Sequence, residues 1–138
     1  MKLRKPIVAE KYFKWKNNLT GRNAVGWFFF PFIFINRKEP HPIDNANWIK
    51  WHKTVNHESM HYWQCVELLV IGFSIIYFGH FFWNYIKYGN YSEAYRNVVY
   101  EREAYHNQYD LKYLETRKLF SFMEYFNDEK YEWKKKIK

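Results

Sequence analysis

The apolar residues of this chain fall into two blocks with different periods. Residues 24–35 read Ala-Val-Gly-Trp-Phe-Phe-Phe-Pro-Phe-Ile-Phe-Ile, rich in aromatic and β-branched side chains. A run this short cannot cross a bilayer and predicts a buried strand or hairpin, with Pro31 at an edge, bulge or turn. A loop is expected over 36–47, because Glu39-Pro40-His41-Pro42 interrupts both strand and helix. Asp44 or Asn45 can cap the next helix. Trp48, Trp51, Val55 and Met60 then recur at helical spacing, and no proline or glycine interrupts 47–71.

Val66–Ile86 is the most apolar segment, yet it contains Glu67, Gly72, Gly79 and His80. The ionisable group and the glycines favour a helix pair, buried in the core or lying on a membrane, over a true span. One straight helix over 47–87 would be about 60 Å long, too long for a domain of this size, so a bend is expected at Gly72. Gly89-Asn90 ends the helix. Ser92 is expected to cap a helix over 93–107, and Asp110 another through Phe122. Residues 1–22 form a basic N-terminal arm or short helix, and 127–138 a basic tail. The result is one domain, 1–138, of mainly α (α+β) class, with a short β element packed on the long helix.

Composition narrows the chemistry. Cys65 is the only cysteine, which excludes an internal disulfide and a Cys-rich zinc cluster. Any metal must then be held by histidine and carboxylate. The net charge of +8 is concentrated at the two ends, which favours solubility and attraction to anionic partners such as a membrane surface. No specific nucleic acid partner is expected, because the aromatics cluster in apolar runs instead of alternating with Arg and Lys. Pro6, Glu10 and Lys11 interrupt any secretory signal, which predicts an intracellular protein, at most membrane-associated. Nothing in the pattern sets the oligomeric state.

The residues that carry chemistry are His57-Glu58-Ser59-Met60-His61. Positions i and i+4 share a helix face, so His57 and His61 aim two imidazoles at one point. Glu58, one position on, can act as general base toward a metal-activated water. A third ligand is required, and the downstream candidates are Glu67, His80, Glu93, Glu101, Glu103 and His106. Glu67 is too close on the same helix and off the face. Glu101 and Glu103 lie on a separate helix that could run antiparallel to the first. Gln64, one turn past His61, can orient a ligand or lie at the surface. Tyr105 can donate a hydrogen bond to an oxyanion or pack in the core. Arg96 and Arg102 are expected to pair with glutamates on the helix surface.

The two motifs together resemble the gluzincin side of the zincin clan, in particular the CAAX prenyl protease and heat-shock membrane peptidase families. In those families the third ligand opens a Glu-x-x-Ala-Asp pattern on a later helix. Here Glu101-Arg102-Glu103-Ala104-Tyr105 matches it except for Tyr105 in place of Asp. The resemblance implies a zinc-dependent peptidase acting on a peptide or protein substrate. Zn2+ would be held by His57, His61 and Glu101, with Glu103 as the reserve ligand and Glu58 and Tyr105 catalytic. The rival expectation is a structural or interaction protein of a larger assembly, such as a virion or membrane complex, that keeps a metal site without proteolysis.

Overall fold

The computed structural model describes residues 1–20 and 25–133, so Ala24 and the terminal lysines of 134–138 lie outside the described residues. The aromatic run folds as a hairpin of β2 (Gly26–Phe29) and β3 (Phe32–Ile35), joined by a turn with a cis Phe30–Pro31 bond. The strands pair antiparallel, with Gly26 opposite Ile35 and Phe29 opposite Phe32. Alternation along β3 buries Ile33 and Ile35 against Val55 and leaves Phe32 outside. The N-terminal arm contains the expected short helix, preceded by a two-residue strand. β1 (Ile7–Val8) pairs parallel with β3, giving the order β1-β3-β2, and α1 (Glu10–Thr20) follows with Phe13 buried.

The long helix α2 (Asn45–Tyr88) is capped by Asp44, whose side chain accepts from the Asn47 N–H, and ends on Gly89 in the left-handed region. Its bend is at Leu69 (φ 57°, ψ 168°), not at Gly72. A Cβ at Gly72 would make only an ordinary contact with Leu68, so nothing there requires glycine. The bend arises because the two arms serve different cores. The first arm packs Val55 on the sheet and Met60 on Ala104 and Leu114. The second turns Leu68, Phe73, Ile76, Tyr77 and Phe81 toward Val98, Val99 and Tyr100. By length and composition α2 is apolar enough to cross a membrane, but only 6% of its most apolar window is buried. The second arm is therefore not the interior helix of a buried pair.

The single helix expected over 93–107 is two, α3 (Tyr91–Arg96) and α4 (Val99–Asn107). Asn90, not Ser92, caps α3 by accepting from the N–H groups of Ser92 and Glu93. The break comes at Asn97, a residue whose amide competes with helical hydrogen bonding. That amide donates to the Glu93 and Trp133 carbonyls, and its oxygen accepts from Arg102 and from the Trp133 N–H. These bonds also hold the chain up to Trp133 on the body, so the first part of the expected basic tail is packed. His80 Nδ1 accepts from the Val99 N–H and caps α4 from the second arm of α2.

Beyond α4, the expected helix through Phe122 is replaced by α5 (Tyr113–Thr116), a 3-10 turn over Ser121–Phe126, and α6 (Asp128–Tyr131). Phe122 and Tyr125 of the 3-10 turn enter the core against Tyr100. Continuous α-helical geometry would not serve both that core and the ion pairs of this segment. The two arginines expected at the helix surface behave differently. Arg102 is buried and donates to Asn97 and to the Tyr125 carbonyl, with Asp128 as its ion partner. Arg96 lies over the rings of Tyr105 and Trp133.

Arg117 ties the layers together. Its buried guanidinium meets Glu67 of α2 and Glu103 of α4, and Tyr113 adds a hydrogen bond to Glu103. Removing one partner of such a buried pair strands a charge. Glu103→Ala is expected to lower unfolding stability by about 3–5 kcal/mol, read from urea denaturation. An unchanged midpoint would show that the pair does not support the fold.

Candidate metal centre

Two helices that share no local sequence build the site. His57 and His61 lie one turn apart on the first arm of α2, and Glu101 stands in the first turn of α4. All three are buried, and one donor atom of each lies within 4.8 Å of the others. The His57 and His61 Nε2 atoms are 3.2 Å apart. Glu101 reaches both, with Oε2 at 3.3 Å from His57 Nε2 and Oε1 at 3.4 Å from His61 Nε2. Glu101 Oε2 is buried and has no hydrogen-bond partner among the described residues. A buried carboxylate whose oxygens each face an imidazole nitrogen, one of them without a donor, suits a cation. The three residues could therefore hold a metal ion.

The surroundings fix the ligands. Gln64 is fully buried, and its Oε1 lies 2.8 Å from His61 Nδ1. The Gln64 amide nitrogen donates to Glu103 Oε2 and to the Tyr100 carbonyl, so its oxygen faces His61. That oxygen can only accept, so the ring proton sits on Nδ1 and Nε2 is left for a metal. Glu103 thus supports the centre through Gln64, and its carboxylate is committed to Arg117 and Tyr113. The other downstream candidates lie elsewhere: Glu67 pairs with Arg117, His80 caps α4, and His106 packs against Tyr125 and Tyr131.

No protein-family model, curated protein or solved structure matches this chain. The chemistry must therefore be read from the cleft itself. His61, Glu58 and Glu101 line a cleft of about 500 Å³ whose other walls come from the hairpin (Trp27–Phe30) and the second arm of α2 (Val70, Phe73, Tyr77, Phe78). Its walls are mostly aromatic. Burial raises the pKa of Glu58, against the opposing effect of the two histidines. Burial alone would lower His61, but the adjacent Glu101 carboxylate overrides it and raises the imidazole to about 9. Burial would raise Glu101, yet His61 and His57 hold it well below the ordinary carboxylate range.

Three residues of the site escape the motif. Gly26 of β2 approaches so closely that a Cβ there would sit 2.6 Å from Thr54 Cγ2 and 2.9 Å from Glu58 Oε1. A glycine inside an apolar strand is the one signal that marks such an approach in advance. The Tyr77 hydroxyl donates to Glu101 Oε1 at 3.1 Å. Tyr95 lines the cleft, and burial followed by the Glu101 charge keeps its phenol protonated. No spacing in the sequence relates either tyrosine to Glu101. Tyr105, partly exposed, packs edge-on against the His57 ring at 4.7 Å.

Two predictions follow from the ligand set. His57→Ala and Glu101→Ala should abolish the binding of about one metal ion per chain, measured by elemental analysis, while Glu103→Gln retains it. Equal metal in all three variants would dismiss the site. Metal binding must also displace the proton that Glu101 stabilises on His61. Affinity should therefore fall about tenfold per pH unit on going down from about pH 8 to 6, in competition with a chelating indicator. A flat profile would mean that His61 is not a ligand.

Proposed function

We infer that the protein is a zinc-dependent peptidase. The observation that carries this reading is the donor spacing. A tetrahedral ion bonded at about 2.0–2.1 Å sets its donors roughly 3.3 Å apart. The two imidazole nitrogens here are 3.2 Å apart, and the two Glu101 oxygens each meet one of them, Oε2 at 3.3 Å from His57 and Oε1 at 3.4 Å from His61, so either oxygen can complete a donor set whose atoms lie within 4.8 Å of one another. His57, His61 and Glu101 would hold the ion, and His61 and Glu101 also line the cleft. When bound, zinc lowers the pKa of water and polarises a peptide carbonyl.

The chain's own residues supply the rest. Glu58, in the cleft wall, takes the proton of the attacking water and returns it to the leaving amine; its raised pKa suits both transfers. Tyr105, against the His57 ring, would donate to the developing oxyanion, with Tyr95 of the cleft lining as the alternative phenol. β2 is an edge strand that carries Gly26 against Glu58, so an extended peptide added along it would lie beside the base. The aromatic walls favour substrates with bulky apolar side chains.

The rival, a metal site kept only for stability, gives no reason for a half-buried Glu58 in the cleft. Glu58→Gln should keep the metal and lose peptide hydrolysis by roughly 10²- to 10⁴-fold, assayed on fluorogenic peptides with apolar residues flanking the scissile bond. Retained turnover in Glu58→Gln would refute the base assignment. A zinc-loaded wild type that cleaves no peptide would favour the structural site.

A further inference from the structure

The second arm of α2 is apolar on two sides, and only one of them serves the core. Phe73, Ile76, Tyr77 and Phe81 face the core. On the opposite side Ile71, Ile75, Phe78, Phe82 and Ile86 stand 75%, 67%, 58%, 62% and 81% exposed. At about 100° per residue these five fall within a sector of roughly 80°, so they form one straight stripe. No Asp, Glu, Lys or Arg occurs from Leu68 to Ile86. A soluble surface rarely leaves a continuous apolar patch of this kind uncovered.

We propose that this stripe docks the protein in the plane of an anionic lipid bilayer, with α2 lying on the surface and not crossing it. Three observations select this occupant and this orientation. First, charge is complementary: the chain is +8, and exposed lysines occur near the bend and on α1. Lys118 is exposed close to the bend, two residues from Phe120, whose N–H donates to Glu67. Lys11 and Lys14 lie on α1, beside the exposed Trp15; α1 stacks Tyr12 on Trp27 of the hairpin, which shares the cleft with Phe78.

Second, Trp83 is 67% exposed and Tyr85 48% exposed on the stripe's margins, where amphipathic rings meet headgroups. Third, the opposite side of the arm carries groups that cannot enter hydrocarbon. The half-exposed Asp128 pairs with Arg102 and with Lys87, and His80 joins the arm to α4. A spanning arm would draw these charges into the bilayer, whereas an in-plane arm leaves them in water. Phe78 and Val70 belong to both the exposed side and the cleft, so docking sets the cleft mouth at the lipid surface.

The inference rests on exposed side chains and is independent of the peptidase reading. Purified full-length protein should float with phosphatidylcholine/phosphatidylserine vesicles. Flotation should weaken as salt rises, and should be lost in Ile75→Asp/Phe82→Asp with metal content and helical circular dichroism unchanged. Glu58→Gln should float like wild type, which separates this proposal from the catalytic one. The single variants Ile71→Cys, Phe78→Cys and Ile86→Cys can take a fluorophore, because Cys65 is buried. Quenching by lipids labelled at different depths should place all three at one shallow depth, although Ile71 and Ile86 are about 22 Å apart along the helix. A deep label at Phe78 between shallow ends would mean a spanning helix and would overturn the proposal. So would absence of flotation, or a lipid-free homodimer that Ile75→Asp/Phe82→Asp dissociates.

Discussion

The two helices of the candidate metal centre are held together by one buried cation, Arg117. It lies beyond α5, far along the chain from the histidines, yet it meets a carboxylate on each of the two helices that make the site. Glu67 anchors it to α2 just before the bend, and Glu103 anchors it to α4 two residues after Glu101. The helices are thus locked in register by charge as well as by packing. Burying these ions carries a large desolvation cost, and only a complete set of partners offsets it. The hydrogen bonds from Tyr113 and Gln64 to Glu103 complete that set.

The lock reaches the chemistry through Gln64. The same Glu103 that satisfies Arg117 orients the Gln64 amide, and that amide decides which nitrogen of His61 carries the proton. Structural and metal-binding demands therefore meet in one carboxylate. This accounts for two acidic residues on α4, separated only by Arg102, with separate duties. Glu101 faces the imidazoles with one oxygen unpartnered, whereas Glu103 is fully engaged in the core.

Local features of the sequence transferred well to the structure. The aromatic run with a central proline became a hairpin, the i,i+4 histidines shared a helix face, and Gly89 ended the long helix. Glu101 was approached by its resemblance to a family pattern, and the fold brings it to both histidines. Features set by tertiary contacts were not legible. The bend fell at Leu69 because two cores pull the arms apart, and a glycine three residues on was only a local cue. Asn97 split a helix through partners as distant in sequence as Trp133. Arg117, Tyr77 and Tyr95 lack any spacing relation to the motif, since their roles arise only once α4 and the 3-10 turn have packed on α2.

His80 shows how closely the two halves of the molecule are joined. Its ring, projecting from the second arm of α2, fills the open N-terminus of α4 two residues before Glu101. The second arm is therefore a gauge as well as a wall. The hydrogen bond to His80 joins the Tyr77–Glu101 bond and the packing of Phe73 and Tyr77 on Tyr100 in holding the start of α4, and so Glu101, against this arm. A repositioned arm would retune the span of the ligand triangle without altering any residue in it.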